Sequence, residues 1–348
     1  MELKEFDYYL PKELIAQEPV IPRDHSRLMI LKRKEEAIIH RKFYEIVDLV
    51  DENDILVFNN TKVVSARLYG KKEKSGGKVE IILIRPKNSD IFDFLNWPKE
   101  WLIIGKPSLK IGSKIIFDKD LKGEIREIKN YERIISFNLA GKELKEKILK
   151  LGLPPLPPYI VKPTEKSFLN YQTIFAKKEG SIAAPTASLH FTEELLGKIK
   201  AKGIAIHFVT LHIGLGTFLP IKTSTIENHK LHSEFFELDI KTANALNQAK
   251  KEGKRIIAVG TTVVRVLEYC ALKDKKLKPQ KGWTDLFIYP GFEFKIVDAL
   301  ITNFHLPKSS LLLLVCAFAG KDLIFRAYKE AIKEKYRFFS FGDAMFIV

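Results

Sequence analysis

The stretch from Val64 to about Ala140 is the part of the sequence that most constrains the fold. It contains short β-rich runs separated by glycine-containing breakers such as Gly76–Gly77, and the first amphipathic helical pattern comes only at 142–150. Strand-like runs spaced by roughly 8–12 residues, with no helices between them, are typical of a small barrel or sandwich. We therefore predict a small β-barrel domain over residues 66–150.

The segments on either side of this block have a different pattern. Continuous apolar runs such as 203–211 and 255–259 alternate with helical patterns such as 261–270. This order is typical of a mostly parallel sheet covered by helices, because strands buried on both faces are apolar throughout. Further strands are predicted at 28–31, 55–58 and 285–289, and further helices at 189–202, 238–252, 311–318 and 321–335.

The sequence thus predicts an α/β fold with two domains. Residues 1–65 and 151–348 form an α/β domain with a helix-covered, mostly parallel sheet, and the β-barrel of residues 66–150 is inserted into it. The two cysteines, Cys270 and Cys316, exclude a disulfide framework and a cysteine-based zinc cluster. The longest apolar run is too short for a membrane span, and the first residues do not resemble a signal peptide, so we expect a cytoplasmic protein without a membrane partner.

Charge is unevenly distributed along the chain. The sequence has 58 Lys and Arg against 43 Asp and Glu, a net charge of +15. Residues 67–150 contain 20 basic and 12 acidic side chains, a net charge of +8, so more than half of the excess lies in the predicted barrel. Excess lysine is compatible with a well-solvated surface, but it also suits a polyanionic partner, because neutralising phosphates releases counterions.

Most of the histidines lie in segments rich in small, polar or glycine residues. Such segments favour a cleft, although a structural hydrogen-bonding role remains the alternative for each residue. Glu234 follows one of these histidines by two positions, which makes it a further acid or base candidate. The spacing of His229, His232 and Glu234 does not match the HExxH zinc pattern, so we predict no metal. The candidate catalytic residues are His190, His212, His232, Glu234, Asp298 and His305.

Two motifs indicate a small-molecule site. In IIAVGTTVVRV an apolar strand ends before Gly260, and Thr261 or Thr262 can cap the helix that follows. The free amides at the start of that helix suit a carboxylate or a phosphate, and Arg265 lies one turn further on. In HIGLGTF, Gly214 and Gly216 allow close approach of a ligand, although a tight turn explains them equally well. The third glycine of a dinucleotide fingerprint is missing, which disfavours NAD.

Long motifs along the whole chain resemble one family, the S-adenosylmethionine:tRNA ribosyltransferase-isomerases of the queuosine pathway. They include FDYYLPKELIAQEP, PRDHSRLM, FNNTKVVSARL, SIAAPTASLHFT, VTLHIGLGTF, LHSEFFEL, IIAVGTTVVRVLE, LITNFHLPKSSLLLLV and YRFFSFGDAMF. Ser65, Ser188 and Val263 depart from the family pattern. The resemblance implies an α/β domain with an inserted β-barrel and a monomeric protein.

The resemblance also implies a reaction. The family transfers and isomerises the ribosyl moiety of S-adenosylmethionine onto 7-aminomethyl-7-deazaguanine at the wobble position of tRNA, giving epoxyqueuosine, adenine and methionine. S-adenosylmethionine is then a substrate, with no prosthetic group and no metal. The sulfonium acidifies the neighbouring ribose carbon, adenine needs help to leave, and the incoming amine must be neutral, so the candidate acids and bases listed above suit this chemistry.

Roles for the remaining candidates follow from this resemblance. We expect Thr261, Thr262 and Arg265 to hold the methionine carboxylate or a tRNA phosphate. RNA-binding candidates are Lys71, Lys72, Lys74, Lys308 and Arg337, of which the first three would contact the RNA backbone. Two other functions remain as alternatives: an S-adenosylmethionine-dependent RNA methyltransferase and a non-catalytic RNA-binding protein.

Overall fold

The structure is a computed structural model that describes residues 1–87, 96–129, 132–161, 163–214, 221–274 and 276–348. The helices are α1 Gly141–Leu151, α2 Glu165–Leu169, α3 Glu193–Ala201, α4 Ile240–Lys251, α5 Thr261–Cys270, α6 Ser310–Ala319 and α7 Lys321–Lys333. Within these ranges, none of the helices combines the length and the apolar character needed to cross a bilayer.

The strands of the large sheet are β1 Arg27–Lys32, β2 Ala37–Lys42, β3 Asp54–Asn59, β12 Ala205–Leu211, β13 Glu234–Leu238, β14 Arg255–Val259, β15 Gln280–Thr284, β16 Ala299–Asn303 and β17 Ala344–Ile347. Strands β5 Arg67–Lys72, β6 Lys78–Pro86, β7 Glu100–Lys106, β8 Lys114–Ile116, β9 Lys122–Lys129 and β10 Glu132–Phe137 form a closed barrel. Two short strands, β4 Thr61–Val63 and β11 Lys178–Ser181, pair separately.

The large sheet has the order β15-β13-β12-β3-β14-β16-β17-β1-β2. Its centre, β12-β3-β14-β16, is parallel, as the apolar runs predicted. Four of the eight pairings described in this sheet are parallel and the flanking strands are mostly antiparallel, so the sheet is mixed. The prediction of an α/β fold with a small β-barrel is confirmed.

Helices cover both faces of this sheet because its central strands are apolar on both sides. Ile256 and Ala258 of β14 pack in a cluster with α4 to α7, whereas Ile257 and Val259 pack in a second cluster with α3. Burying both faces fixes the register, since a shift of one residue would exchange the two sets of side chains. The carboxyl ends of the central strands are therefore held at one edge.

The barrel has its own apolar core, which continues into the sheet. Helix α1, predicted at 142–150, buries Leu144 and Ile148 against this core. Phe235 of β13 belongs to the same cluster. The barrel therefore packs against the flank of the sheet that carries β13, next to the carboxyl edge.

Three element predictions need correction. The run 285–289 is not a strand; the neighbouring strand is β15, which pairs with β13 and places Trp283 opposite Phe235. The helix predicted from 189 begins only at Glu193, because Thr192 caps it and the preceding residues form a 3-10 turn. The helix predicted from 238 likewise begins at Ile240, after strand β13.

Candidate active site

The carboxyl edge of the large sheet brings together residues that end or follow four parallel strands, and three of these residues are polar. Asn59 ends β3, His212 follows β12, Gly260 follows β14 and His305 follows β16 by two positions. In open α/β sheets, ligands bind outside the carboxyl ends of the strands, because the loops there are free to diverge. This edge is the place to look for a site.

A cleft opens between the N-termini of α5 and α6 at this edge, and we call it the Glu234 cleft. Its space is about 490 Å³ when the part open to solvent is counted, and about 30 Å³ has room for the centre of a water-sized molecule. Apolar side chains such as Leu286 and Phe287 form part of its wall. Its polar lining residues are His232, Glu234, Thr261, Thr262, Arg265 and Ser310.

A buried ion pair forms the base of this cleft. The side chains of Glu234 and Arg265 are 4% and 8% exposed, and the guanidinium binds a carboxylate oxygen directly. The other carboxylate oxygen accepts the backbone N–H of Gly214 at 2.9 Å. Arg265 also donates through Nε to the carbonyl of Leu286 at 3.0 Å. Because these contacts occupy the guanidinium, the prediction that Arg265 clamps a substrate anion is not supported; it holds Glu234 in place.

Thr262 is positioned by a side-chain amide of the central strand. Asn59 donates through Nδ2 to Thr262 Oγ1 at 3.2 Å and to the carbonyl of Leu211 at 3.0 Å. Its Oδ1 accepts the backbone N–H groups of Thr61 and Leu211, both at 3.1 Å. With both ends of its amide used, Asn59 ties the ends of β3 and β12 to the first turn of α5.

His212 lies between this cleft and the barrel. Its Nδ1 is 2.8 Å from Thr61 Oγ1, and its ring stacks on Phe235, which packs into the barrel core. Burial, and to a lesser extent Lys178, lowers the pKa of His212 to about 4. Gly180 faces the ring so closely that a Cβ there would lie 2.7 Å from Nε2. The imidazole is therefore neutral near pH 7 and fixed in place.

His190 is held by a network whose proton positions can be deduced. Asn303 must donate Nδ2 to the carbonyl of Phe339, at 3.2 Å, because a carbonyl only accepts. The same Nδ2 is 3.1 Å from His190 Nε2, so that nitrogen accepts and Nδ1 carries the proton toward Ser26 Oγ at 2.7 Å. This neutral tautomer agrees with a pKa that burial, together with Arg23 and Arg337, lowers to about 3.

His305 is also buried and neutral. Its Nε2 is 3.0 Å from Thr302 Oγ1, and its backbone N–H donates to the Tyr328 hydroxyl at 2.9 Å. The hydroxyl of Tyr8 donates to its backbone carbonyl. Burial lowers the pKa of His305 to about 3. The contacts hold its backbone as well as its ring.

A family model described as "Queuosine biosynthesis protein" matches residues 3–347, nearly the whole chain. The chain belongs to this queuosine biosynthesis family. The resemblance detected in the sequence motifs is therefore confirmed.

Two relatives of this queuosine biosynthesis protein bear the name S-adenosylmethionine:tRNA ribosyltransferase-isomerase. One, from Halothermothrix orenii, is 49% identical over 352 residues, and the other, from Sulfurihydrogenibium sp., is 51% identical over 349 residues. Each comparison covers 100% of both chains. A crystal structure of an S-adenosylmethionine tRNA ribosyltransferase from Thermotoga maritima is 39% identical, with a TM-score of 0.55, and the match covers 99% of this chain and 100% of that chain.

Not every predicted site residue of this family member lies at the carboxyl edge. Asp298 precedes β16, at the opposite edge of the sheet, where it pairs with Lys250 at 2.9 Å and accepts the N–H of Ile256 at 2.8 Å. It links the amino ends of β14 and β16 to α4 there, so the structure does not support it as an acid or base. Gly216 lies outside the described residues. Across the described ranges no group of side chains has the composition of a metal site.

The RNA-binding candidates fall in two places. Lys71 and Lys72 end strand β5, and Lys74 lies in the exposed turn that follows. Lys308 and Arg337 instead flank the carboxyl edge, where Lys308 pairs with Asp7 at 2.6 Å and Arg337 binds the carbonyl of Glu18. Burial lowers the pKa of Arg337.

Sequence reasoning missed several residues that build the queuosine-family site. Asn59, Thr61, Ser26 and Ser310 were not among the predicted site residues. The sequence signal that could have identified them is a polar residue at the end of an apolar strand. Asn59 and Thr61 lie at the end of such a strand, and Ser26 lies directly before one. Contacts to residues more than 150 positions away, such as Ser26 to His190, leave no trace in local sequence.

Proposed function

We propose that this chain transfers and isomerises the ribosyl moiety of S-adenosylmethionine onto 7-aminomethyl-7-deazaguanine at the wobble position of tRNA. Adenine and methionine are released. The observation that carries the proposal is about half-identity over full length to relatives of that name. The protein acts as a monomer in the cytoplasm, and S-adenosylmethionine is a substrate rather than a bound prosthetic group.

S-adenosylmethionine occupies the Glu234 cleft in this proposal. Helices α5 and α6 both begin at the cleft, and helix N-termini favour anions, so they suit the methionine carboxylate. Thr261 and Thr262 supply the first amides and hydroxyls of α5. Glu234 offers a carboxylate to the cationic ammonium and sulfonium groups, while Arg265 fixes its orientation.

Glu234 and His232 are the acid–base candidates that line the cleft. A base beside the sulfonium removes a proton from the acidified ribose carbon, and an acid helps adenine to leave. His190, His212 and His305 have pKa values of about 3 to 4 because they are buried, so they contribute as neutral hydrogen-bonding groups. These three histidines hold the backbone of the carboxyl edge in place beside the ligand.

The barrel positions the tRNA. We assign residues 66–150 to an inserted RNA-binding domain, and residues 1–65 and 151–348 to the catalytic domain. Lys71, Lys72 and Lys74 contact the RNA backbone, which sets the position of the anticodon arm without reading its sequence. Lys308 and Arg337 contribute positive charge next to the edge where the reaction takes place.

One incubation tests the proposal. Purified protein, S-adenosylmethionine and tRNA carrying the aminomethyl-deazaguanine base are mixed, and the products are separated by mass. Adenine and methionine are expected in step with a ribosyl-derived mass gain on the tRNA. S-adenosylhomocysteine would instead identify a methyltransferase. Tight, salt-sensitive tRNA binding without turnover would identify a non-catalytic RNA-binding protein.

A further inference from the structure

Thr262 lines the Glu234 cleft, and its hydroxyl has a single partner among the described residues. That partner is the Asn59 side chain, whose Nδ2 lies 3.2 Å from Thr262 Oγ1. An amide nitrogen carries protons and has no lone pair to offer, so the hydroxyl must accept this hydrogen bond. The hydroxyl proton of Thr262 is therefore left for an acceptor that is not part of the described chain.

The amide of Asn59 cannot turn over and reverse this polarity. Its Oδ1 accepts the backbone N–H groups of Thr61 and Leu211, and its Nδ2 also donates to the carbonyl of Leu211. Because a backbone N–H only donates and a carbonyl only accepts, a flipped amide would lose all three bonds. Both protons of Nδ2 are thus assigned, one to the Leu211 carbonyl and one to the Thr262 hydroxyl.

The same amide takes the place of strand pairing at the carboxyl edge. The backbone pairing of β3 with β12 ends at Asn59 and Val209. Two residues further along β12, Leu211 bonds the Asn59 amide through both its N–H and its carbonyl. Since Asn59 is fully buried and both ends of its amide are bonded, a change there would leave backbone groups unpaired. Thr262 therefore receives its hydrogen bond from a donor that is fixed in place.

The surroundings of Thr262 favour a small anionic acceptor. Thr262 is the second residue of α5, where free backbone amides and the positive end of the helix dipole attract negative charge. The 30 Å³ of the cleft with room for the centre of a water-sized molecule corresponds to about two such molecules. A carboxylate fits this space, whereas a ribose or a purine ring does not.

We propose that Asn59 is a positioning residue, which makes the Thr262 hydroxyl an obligate hydrogen-bond donor to the carboxylate of S-adenosylmethionine. This inference rests on the proposed function. Asn59 is not among the residues that line the cleft, so it acts through Thr262. By occupying a lone pair of that hydroxyl, it leaves the proton for the ligand. A donor fixed in this way favours S-adenosylmethionine over a sulfonium compound that lacks the carboxylate.

Two ligands that differ only in this carboxylate test the role of Asn59. Decarboxylated S-adenosylmethionine keeps the adenosine, the sulfonium and the amine. The Kd of each ligand is measured by calorimetry without tRNA, and the Kd of the decarboxylated compound divided by that of S-adenosylmethionine defines the carboxylate preference. This preference is compared between variants that all retain Glu234, so the attraction of Glu234 to the cationic groups is common to them.

Thr262→Val should lower the carboxylate preference about tenfold, because a hydrogen bond to a charged group is lost. Asn59→Ala should lower it by a similar factor. The double variant Asn59→Ala/Thr262→Val should show no further loss, since both changes act through the same hydroxyl. Asn60→Ala is the matched control: its amide accepts the Thr210 hydroxyl at 2.7 Å and also joins the end of β3 to β12, and this variant should keep the wild-type preference.

Equal weakening of both ligands in Asn59→Ala would overturn the inference, because it indicates a structural role alone. A further tenfold loss in the double variant would also overturn it. If Asn59→Ala does not fold, Asn59→Asp replaces it. This change keeps the acceptor for the two N–H groups but accepts the Thr262 proton, so an unchanged carboxylate preference would again overturn the inference.

The proposed function fails in a different way. These binding assays need no turnover, so a wild-type protein that binds S-adenosylmethionine but releases no adenine with tRNA overturns the proposed function alone. A wild-type protein that binds neither ligand overturns both.

Discussion

The two edges of the large sheet carry similar ion pairs in different surroundings. At the amino edge, Arg255 binds Asp54 through two contacts of 2.6 and 2.8 Å, and Lys250 pairs with Asp298. The side chains of Arg255 and Lys250 remain 37% and 34% exposed. At the carboxyl edge, both members of the Glu234–Arg265 pair are buried and line a cleft.

Helix direction accounts for the difference. Helix α4 ends near the amino edge with Lys250 and Lys251 in its last turn, where cations complement the negative end of the helix dipole. Helices α5 and α6 begin at the carboxyl edge, where the positive ends favour anions. At the amino edge, therefore, the charged side chains pair with one another. At the carboxyl edge, the helix N-termini create a positive electrostatic potential that favours an anionic ligand.

The largest effect is expected from Arg265→Met. It leaves Glu234 buried without its guanidinium, which should lower the free energy of unfolding by about 3–5 kcal/mol. Adenine release should fall by at least about tenfold, because Glu234 loses its orientation. Chemical denaturation and a turnover assay below the unfolding transition measure the two effects. Arg255→Met, the matched change at the amino edge, should keep wild-type turnover. An equal loss of turnover in both variants would contradict the contrast between the two edges.

Acid should weaken the carboxyl edge through its buried histidines. His190 has a pKa of about 3 when folded, against about 6.5 in an unfolded chain, so the unfolded state binds the proton first as pH falls. Its contribution to stability is present above pH 6.5 and is lost between there and pH 3, at roughly 1.4 kcal/mol per pH unit.

His190→Gln should remove this slope from the free energy of unfolding measured between pH 6 and pH 4. His207→Gln, at a half-buried histidine in β12, should change the slope less, although burial lowers the pKa of His207 as well. If His190→Gln has the wild-type slope, His190 is protonated in the folded protein.

The lysines at the end of β5 test exposed charge that contacts RNA phosphates, in contrast to the buried ion pair of the cleft. Lys71→Ala and Lys72→Ala should each weaken tRNA binding and reduce the slope of log K against log salt by about 1. The Kd of S-adenosylmethionine should stay unchanged. The matched control is Lys254→Ala, at a partly exposed lysine of the amino edge that donates to the carbonyl of Glu52. An unchanged salt slope in the Lys71 and Lys72 variants would remove the barrel from the RNA contact.

Asp298→Asn should have the smallest effect on catalysis. The carboxylate pairs with Lys250 at the amino edge, where it is 35% exposed, so turnover should match that of the wild type. Stability should fall by about 1 kcal/mol, since the ion pair is partly solvated. A loss of turnover at unchanged stability would place Asp298 in the reaction after all.

Local patterns were sufficient where sequence neighbours determine the structure. The junction of β14 and α5 was predicted correctly, because an apolar run and a glycine follow one another, but Gly260 is the N-cap and no threonine side chain caps the helix. The barrel was recognised from the spacing of its strands. The family was recognised because its motifs extend over the whole chain.

Long-range partners explain what was missed. The run 285–289 is as apolar as a strand, but its side chains pack against the core from an irregular segment, while the polar run Gln280–Thr284 pairs with β13. Arg265 was interpreted as free for a ligand because its partner, Glu234, lies 31 positions away. Asp298 was grouped with the histidines although it lies at the other end of β16.

Strand β17 comes last among the described strands in chain order, yet it lies between β16 and β1. During synthesis, the β1–β2 hairpin therefore leaves the ribosome long before the strand that joins it to the rest of the sheet. The turn that Asp343 ties to the start of β1 belongs to the same late segment. A nascent chain interrupted before β17 contains the barrel and most strands of the sheet, but it lacks the strand that joins the β1–β2 hairpin to β16, so it cannot complete the sheet.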